Sequence, residues 1–250
     1  MNFDFTHKVA LVTGGGSGIG EACARTFAAG GARVVVADLD NKGGQRVTDT
    51  LTQKGSEASF IHVNVADPPS VEQMVQHAIN HYGQLDIAVN NAGIGGEAKP
   101  TGEYSVESWR QVIDVNLNGV FYCMRYEIPQ MLEHGGAIVN MASILGTVGF
   151  ATAVAYVSAK HGVVGMTQNA ALEYSGQGIR INAVGPGFIK TPLLDANLNA
   201  DTLNMLAKLH PIGRLGEAQE VANLVAFLCS DEASFISGSY HLIDGGYTAQ

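Results

Sequence analysis

The sequence predicts an α/β fold: one doubly wound domain over residues 1–250, with a central seven-stranded parallel sheet and helices on both faces. Three observations predict it. Short β-branched runs alternate with longer segments of helical period. The runs are apolar almost without interruption, as strands buried on both faces of a parallel sheet are. Glycine is abundant, at 31 residues, yet forms no low-complexity tract, so it marks tight strand-to-helix turns.

In chain order, strand Val9–Thr13 leads into helix Gly18–Ala29, and Arg33–Asp38 into Lys42–Gln53. Strand Ser59–Val63 precedes helix Ser70–Tyr82, and Leu85–Val89 precedes the long helix Ser105–Leu132. Ala137–Met141 is followed by helix Ala153–Tyr174. Arg180–Val184, helix Ala218–Leu228 and Tyr240–Ile243 complete the pattern. Repeated strand–helix–strand units with short links imply right-handed crossovers. Gly187 to Gly216 reads as one long irregular stretch after a strand's carboxyl end, and a loop of that length is expected to act as a lid.

A net charge of −9 argues against nucleic acid or an anionic membrane as partner, since both need a positive face. No apolar run reaches the roughly 18 residues of a membrane span. Met1 to Lys8 lacks the apolar core of a signal peptide. Cys23, Cys123 and Cys229 are odd in number, far apart and set in apolar helical contexts, which reads as buried free thiols in a cytoplasmic protein.

Thr13-Gly14-Gly15-Gly16-Ser17-Gly18-Ile19-Gly20 follows the first strand and opens a helix. Glycines there let the backbone approach a pyrophosphate and leave helix N–H groups pointing at it. The spacing departs from G-x-G-x-x-G, so the segment by itself also reads as a flexible turn. Asp38 ends the second strand, where a carboxylate accepts both hydroxyls of an adenosine ribose and repels a 2′-phosphate. Its other reading is a cap for the next helix. Gly16, Ser17 and Leu39 offer no Arg or Lys to a phosphate, which favours NAD over NADP. Tyr156 and Lys160, four apart, project from one helix face. A tyrosine pKa of about 10 is too high for a base near neutrality, and a neighbouring ammonium, helped by an oxidised nicotinamide, lowers it.

The ordered set Gly14-x-x-x-Gly18-x-Gly20, Asn90-Asn91-Ala92-Gly93, Asn116, Ser143, Tyr156-x-x-x-Lys160 and Pro186-Gly187 resembles the short-chain dehydrogenase/reductase family, from Lys8 to Gln250. The resemblance implies a Rossmann-type domain that moves a hydride between a nicotinamide and the carbinol carbon of an alcohol or the matching ketone. It implies Tyr156 as acid/base, Lys160 lowering its pKa and holding the nicotinamide ribose, and Ser143 bonded to the substrate oxygen. Asn116 would hold a water linking Lys160 to solvent. The dinucleotide would meet Gly14, Ser17, Gly18, Ile19 and Gly20, then Asp38, Leu39 and Val65. Asn90, Ala92 and Gly93 would line the adenosine side, and Pro186, Gly187, Ile189 and Thr191 the nicotinamide. Where the family has Asp after the third strand, this chain has Asn64, whose amide oxygen would still accept from the adenine amino group. The resemblance further implies a homotetramer, with the two long helices facing their symmetry mates.

Some signals are discounted. His77 and His81 lie one helical turn apart, but no third ligand is near, so no catalytic metal is expected. Glu72, Glu97 and Glu103 read as surface residues, and Arg125 as support for the long helix at a subunit contact. Some similar secondary-alcohol dehydrogenases hold a structural Mg²⁺ at a terminal Gln, here Gln250.

The substrate wall comprises Ile94, Ile144, Leu145, Val148, Phe150, Ala153, Phe188, Leu193, Leu194, Met205 and Leu206, though several of these could be core. None is Arg or Lys, so an uncharged hydrophobic secondary alcohol or ketone leads. The runner-up is a 3-oxoacyl thioester reductase. Against it, Glu133-His134-Gly135-Gly136 is not the basic surface an acidic carrier protein needs. A non-catalytic NAD-binding sensor is the third reading, opposed by the presence of Tyr156, Lys160, Ser143 and Asn116 together.

Overall fold

A computed structural model describes residues 3–195 and 199–249. The central sheet has seven parallel strands: β1 (Val9–Thr13), β2 (Arg33–Asp38), β3 (Ala58–His62), β4 (Ile87–Asn90), β5 (Gly136–Met141), β6 (Ile179–Pro186) and β9 (Tyr240–Ile243). Their order is β3-β2-β1-β4-β5-β6-β9, so the chain reverses its winding between β1 and β4. A crevice opens at the carboxyl ends of the strands where such a reversal occurs.

Alternation along each strand builds two cores. Val12, Val34, Val36, Val89 and Val139 face one side, against helices α1 (Gly18–Ala29), α2 (Asn41–Gln53) and α9 (Ala218–Cys229). Leu11, Val35, Ala88, Ile138 and Ile181 face the other, against α3 (Pro68–Tyr82), α5 (Gly119–Met131) and α6 (Val154–Tyr174). Each fully buried Leu or Ile contributes roughly 2 kcal/mol, which fixes the register of every strand.

Two expectations are corrected. The predicted helix Ser105–Leu132 is split into α4 (Val106–Ile113), a π-turn at Asp114–Asn118, and α5. At its end the Gly119 N–H reaches the carbonyl of Asp114, five residues back. The segment read as irregular, Gly187 to Gly216, contains β7 (Ile189–Lys190), α7 (Pro192–Asp195) and α8 (Ala200–Lys208), and β7 pairs with β8 (Gly216–Glu217). Short elements of two to nine residues give too few periods to be read from pattern. No helix among the described residues is long and apolar enough to cross a membrane.

Below the carboxyl edge a polar chain links strands to helices. Asn90 on β4 donates to Glu127 on α5 (3.0 Å) and to Asn140 on β5 (3.0 Å). Asn140 donates to Thr167 on α6 (2.9 Å). Glu127 is fully buried, and one of its oxygens, Oε1, has no hydrogen-bond partner. Burial therefore pushes its carboxyl pKa from 4.5 up to about 7. A raised folded-state value means that folding takes up a proton. The carboxyl's contribution is intact below about pH 4.5, declines as pH rises, and is lost above about 7. Glu127→Gln, uncharged at every pH, should match wild type at pH 5. At pH 8 it should exceed wild type by about 2–3 kcal/mol in denaturant unfolding. A stability difference independent of pH would refute the ionisation.

Candidate active site

Ser143 follows β5 and starts a 3-10 turn, Ile144–Gly146, its Oγ accepting from the Leu145 N–H (3.2 Å). Tyr156 and Lys160 stand one turn apart near the start of α6, and the Ser143 side chain acts on the Tyr156 hydroxyl to lower its pKa. Lys160 is buried; its Nζ donates to the Met141 carbonyl at 2.6 Å and lies 5.5 Å from the Tyr156 ring centroid. Burial lowers the Lys160 pKa to about 8. Burial also raises that of Tyr156, which the Ser143 side chain pulls partly back. For the chain alone the net direction for Tyr156 is upward, because removal from water outweighs the Ser143 interaction.

Asn116 sits in the π-turn, wholly buried. Its Oδ1 accepts from the Ile94 N–H and its Nδ2 donates to the Ile94 carbonyl, both at 2.8 Å. The wider turn seats this amide against the segment after β4, as π-bulges at functional sites do. Each of the two amide atoms makes one bond to Ile94 and keeps one further valence.

The turn between β1 and α1 has the shape of a dinucleotide cradle. Ser17 precedes α1 without capping it, leaving the first helix N–H groups to a ligand. A Cβ on Gly20 would lie 2.0 Å from the Gly14 carbonyl oxygen, and one on Gly18 would press on Thr191 at 3.2 Å. Asn91 donates to the carbonyls of Thr13 (3.0 Å) and Gly14 (3.2 Å), while the Thr13 hydroxyl accepts from Asn91 and Ala92 N–H. Asn91 and Thr13 therefore shape the cradle, a role their positions in the motif did not reveal. Gly93 approaches Asn116 from the same loop.

Asp38 ends β2 beside the cradle, its oxygens accepting from Gly16 N–H and Asp40 N–H at 2.8 Å each. Asp40, not Asp38, caps α2. Gly16, Ser17 and Leu39 offer no cation, but Arg46 donates to the Gly16 carbonyl at 2.9 Å while paired with Glu21. One turn into α2, it was too far along the chain to be counted as a flank of Asp38. Leu39 is exposed. The Asn64 side-chain oxygen accepts from Ala66 N–H (3.1 Å), and Val65 is buried beside Gly119. Ile189 is buried and packs with the core. Pro186 closes β6, and Gly187 abuts His210.

Of the expected wall, Ile144, Leu145 and Leu206 are buried, Phe150 and Met205 are exposed, and Ile94, Val148, Ala153, Phe188 and Leu194 are intermediate. Leu193 lies in α7, and its side chain is outside the described residues, as is Gln250. Phe188 makes edge contacts with Phe150, His210 and Tyr247 at centroid distances of 5.9, 5.7 and 5.9 Å. This aromatic group joins four separate segments above the sheet. His210, absent from the expected wall, accepts from Phe188 N–H through Nε2 (3.1 Å) and bonds the Leu206 carbonyl through Nδ1 (3.0 Å). His77 and His81 stack on each other, with His77 bonded to Ser59. Glu97 is no free surface acid, since it accepts from the Ser105 N–H; Glu72 and Glu103 are exposed. The exposed Arg125 guanidinium lies over the Tyr126 ring.

A family model described as enoyl-(acyl carrier protein) reductase matches residues 14–248. The chain is 51% identical over 251 residues to a cyclohexanol dehydrogenase of Acinetobacter sp. (strain SE19), covering 100% of this chain and 98% of that protein. It is 45% identical over 250 residues to a cis-4-hydroxycyclohexanecarboxylate dehydrogenase of Sinomonas cyclohexanicum, covering 100% of both. The crystal structure of a levodione reductase superposes with a TM-score of 0.95 at 38% identity, over 98% of this chain and 99% of that one.

The closeness of Gly20 to the Gly14 backbone makes the cradle intolerant of a methyl group. Gly20→Ala should cost about 1–3 kcal/mol and lower the melting temperature by about 2–12 °C. An unchanged melting curve would show that the turn relaxes freely.

Proposed function

Because the chain belongs to the short-chain dehydrogenase/reductase family, we propose that it interconverts hydrophobic secondary alcohols and ketones, ring alcohols of cyclohexanol size foremost, using NAD(H). The observation that carries this reading is the contiguous Ser143–Tyr156–Lys160 set beside an apolar, aromatic-rimmed wall. The two cyclohexane-ring dehydrogenases among its relatives supply the ring.

Gly14, Ser17, Gly18, Ile19 and Gly20 would hold the pyrophosphate, and Asp38, Leu39, Asn64 and Val65 the adenosine end with Asn90, Ala92 and Gly93. Lys160, Pro186, Gly187, Ile189 and Thr191 would hold the nicotinamide end. When bound, the dinucleotide supplies the hydride acceptor for oxidation and the donor for reduction. Ser143 Oγ holds the substrate oxygen, and Tyr156 removes the hydroxyl proton or returns it. Lys160 keeps an ammonium beside Tyr156 that favours its ionised form, and Asn116 holds the water that links Lys160 to solvent. The segment from Gly187 to Gly216 serves as the lid that excludes water. Exposed Phe121, Trp109 and Leu172 on or next to the long helices support a homotetramer, and buried free thiols suit a reducing cytoplasm.

Cyclohexanol with NAD⁺ should give NADH absorbance with wild type, and Tyr156→Phe should fall below a tenth of that rate with NADH binding intact. Turnover in Tyr156→Phe above that level would remove the residue from this role. A failure on cyclohexanol together with reduction of a 3-oxoacyl thioester would favour the alternative reading, a 3-oxoacyl thioester reductase.

The cofactor choice depends on Asp38. A 2′-phosphate about 4 Å from its carboxylate would cost on the order of 4 kcal/mol at an effective dielectric of 20, less after screening. Arg46 tempers this penalty but is already engaged by Glu21. Steady-state kinetics should favour NADH over NADPH by at least about tenfold, and Asp38→Ser with Leu39→Arg should reverse the preference. Equal use of the two cofactors by wild type would refute the role of Asp38.

A further inference from the structure

The edge strand β9 carries Tyr240, whose hydroxyl donates to the main-chain carbonyl of Ser143, 97 residues earlier. Burial raises the Tyr240 pKa, and the Thr147 side chain, at the far end of the turn that carries Ser143, lowers it in part. The ring reaches there by lying across Gly185 of β6. A Cβ on Gly185 would stand 2.2 Å from the Tyr240 oxygen, and the two ring carbons next nearest lie at 2.5 and 2.6 Å. The Ser143 carbonyl also accepts from Gly146 N–H at 2.8 Å, and Ser143 Oγ accepts from Leu145 N–H. Tyr240 is the side chain that ties this locally closed turn to the rest of the sheet.

We propose that Tyr240 is a positioning residue for catalysis: its hydroxyl, laid over the bare face of Gly185, sets the Ser143 hydroxyl against Tyr156. The inference rests on the assignment of Ser143 and Tyr156 above and adds a residue to it. The Ser143 side chain lowers the pKa of Tyr156 against the effect of burial. A Ser143 turn released from Tyr240 loses part of that influence, and the Tyr156 pKa rises. Alcohol oxidation requires the ionised phenol, so the acid limb of the rate profile then moves to higher pH. The titratable groups around Tyr156 are Lys160 on its own helix and Tyr240 from β9, and Tyr240 in turn faces Asp244. Losing the Tyr240 hydroxyl does not add a charge at Tyr156, so the shift reports Ser143.

The test is Tyr240→Phe, which removes one oxygen and keeps the ring. We expect kcat for oxidation to fall about tenfold at neutral pH and the acid limb to move up by about one pH unit, with the melting temperature and NADH affinity unchanged. In the protein without cofactor, NMR of isotope-labelled tyrosine should show Tyr156 titrating at higher pH in the variant. Gly185→Ala, which drives the hydroxyl off Ser143 while retaining it, should move the Tyr156 resonance the same way. A wild-type pH profile and wild-type Tyr156 titration in Tyr240→Phe would overturn the inference. So would a loss of activity that simply follows a fall in melting temperature or in NADH affinity. Full turnover by Tyr156→Phe would instead overturn the underlying assignment, whatever Tyr240→Phe does.

Discussion

The burial of one ammonium group governs the geometry of the site. Lys160 lies inside the protein with its Nζ held by the Met141 carbonyl at the end of β5. A buried cation without such a partner would be strongly unfavourable, so the bond fixes how α6 meets the sheet. That placement sets Tyr156, one turn earlier, against Ser143 just beyond Met141. With a pKa of about 8, Lys160 keeps most of its charge near neutrality while remaining sensitive to what binds beside it.

The carboxyl ends of β4 and β5 are held by a second set of buried polar contacts. Asn90, Asn140, Glu127 and Thr167 connect two strands to two helices through side chains that no water reaches. On the other side of β4, Thr13 and Asn91 tie the glycine turn to the strand's end, and Asn116 clamps Ile94. Most of these contacts satisfy buried polar groups, and those of Asn90, Asn91 and Asn116 also hold residues of the candidate site. Stability of the sheet and placement of the site are therefore carried by the same bonds.

Much of this was legible in the sequence. β1, β2 and β9 have the bounds their apolar runs predicted, and so does α1, because strand and helix patterns are local and repeat within a few residues. The glycines before α1, Asp38, Ser143, Tyr156 and Lys160 could be named as candidates because the ordered set of motifs, more than any one spacing, resembles the family. The π-turn was invisible, since Asp114–Asn118 continues a helical pattern and only the burial of Asn116 against Ile94 makes the extra residue favourable. The short elements between Gly187 and Gly216 escaped for lack of length.

The sequence by itself determined the alternation of strands and helices and the parallel sheet, because periodicity acts over a few positions, and it named the candidate reacting groups by residue type. Tertiary structure alone decided which carbonyl holds Lys160, that Arg46 reaches the Gly16 carbonyl 30 residues earlier, and that Tyr240 reaches Ser143. Those contacts join residues far apart in the chain, where no local pattern records them. They form only when strand order brings β9 beside β6 and α2 beside the glycine turn.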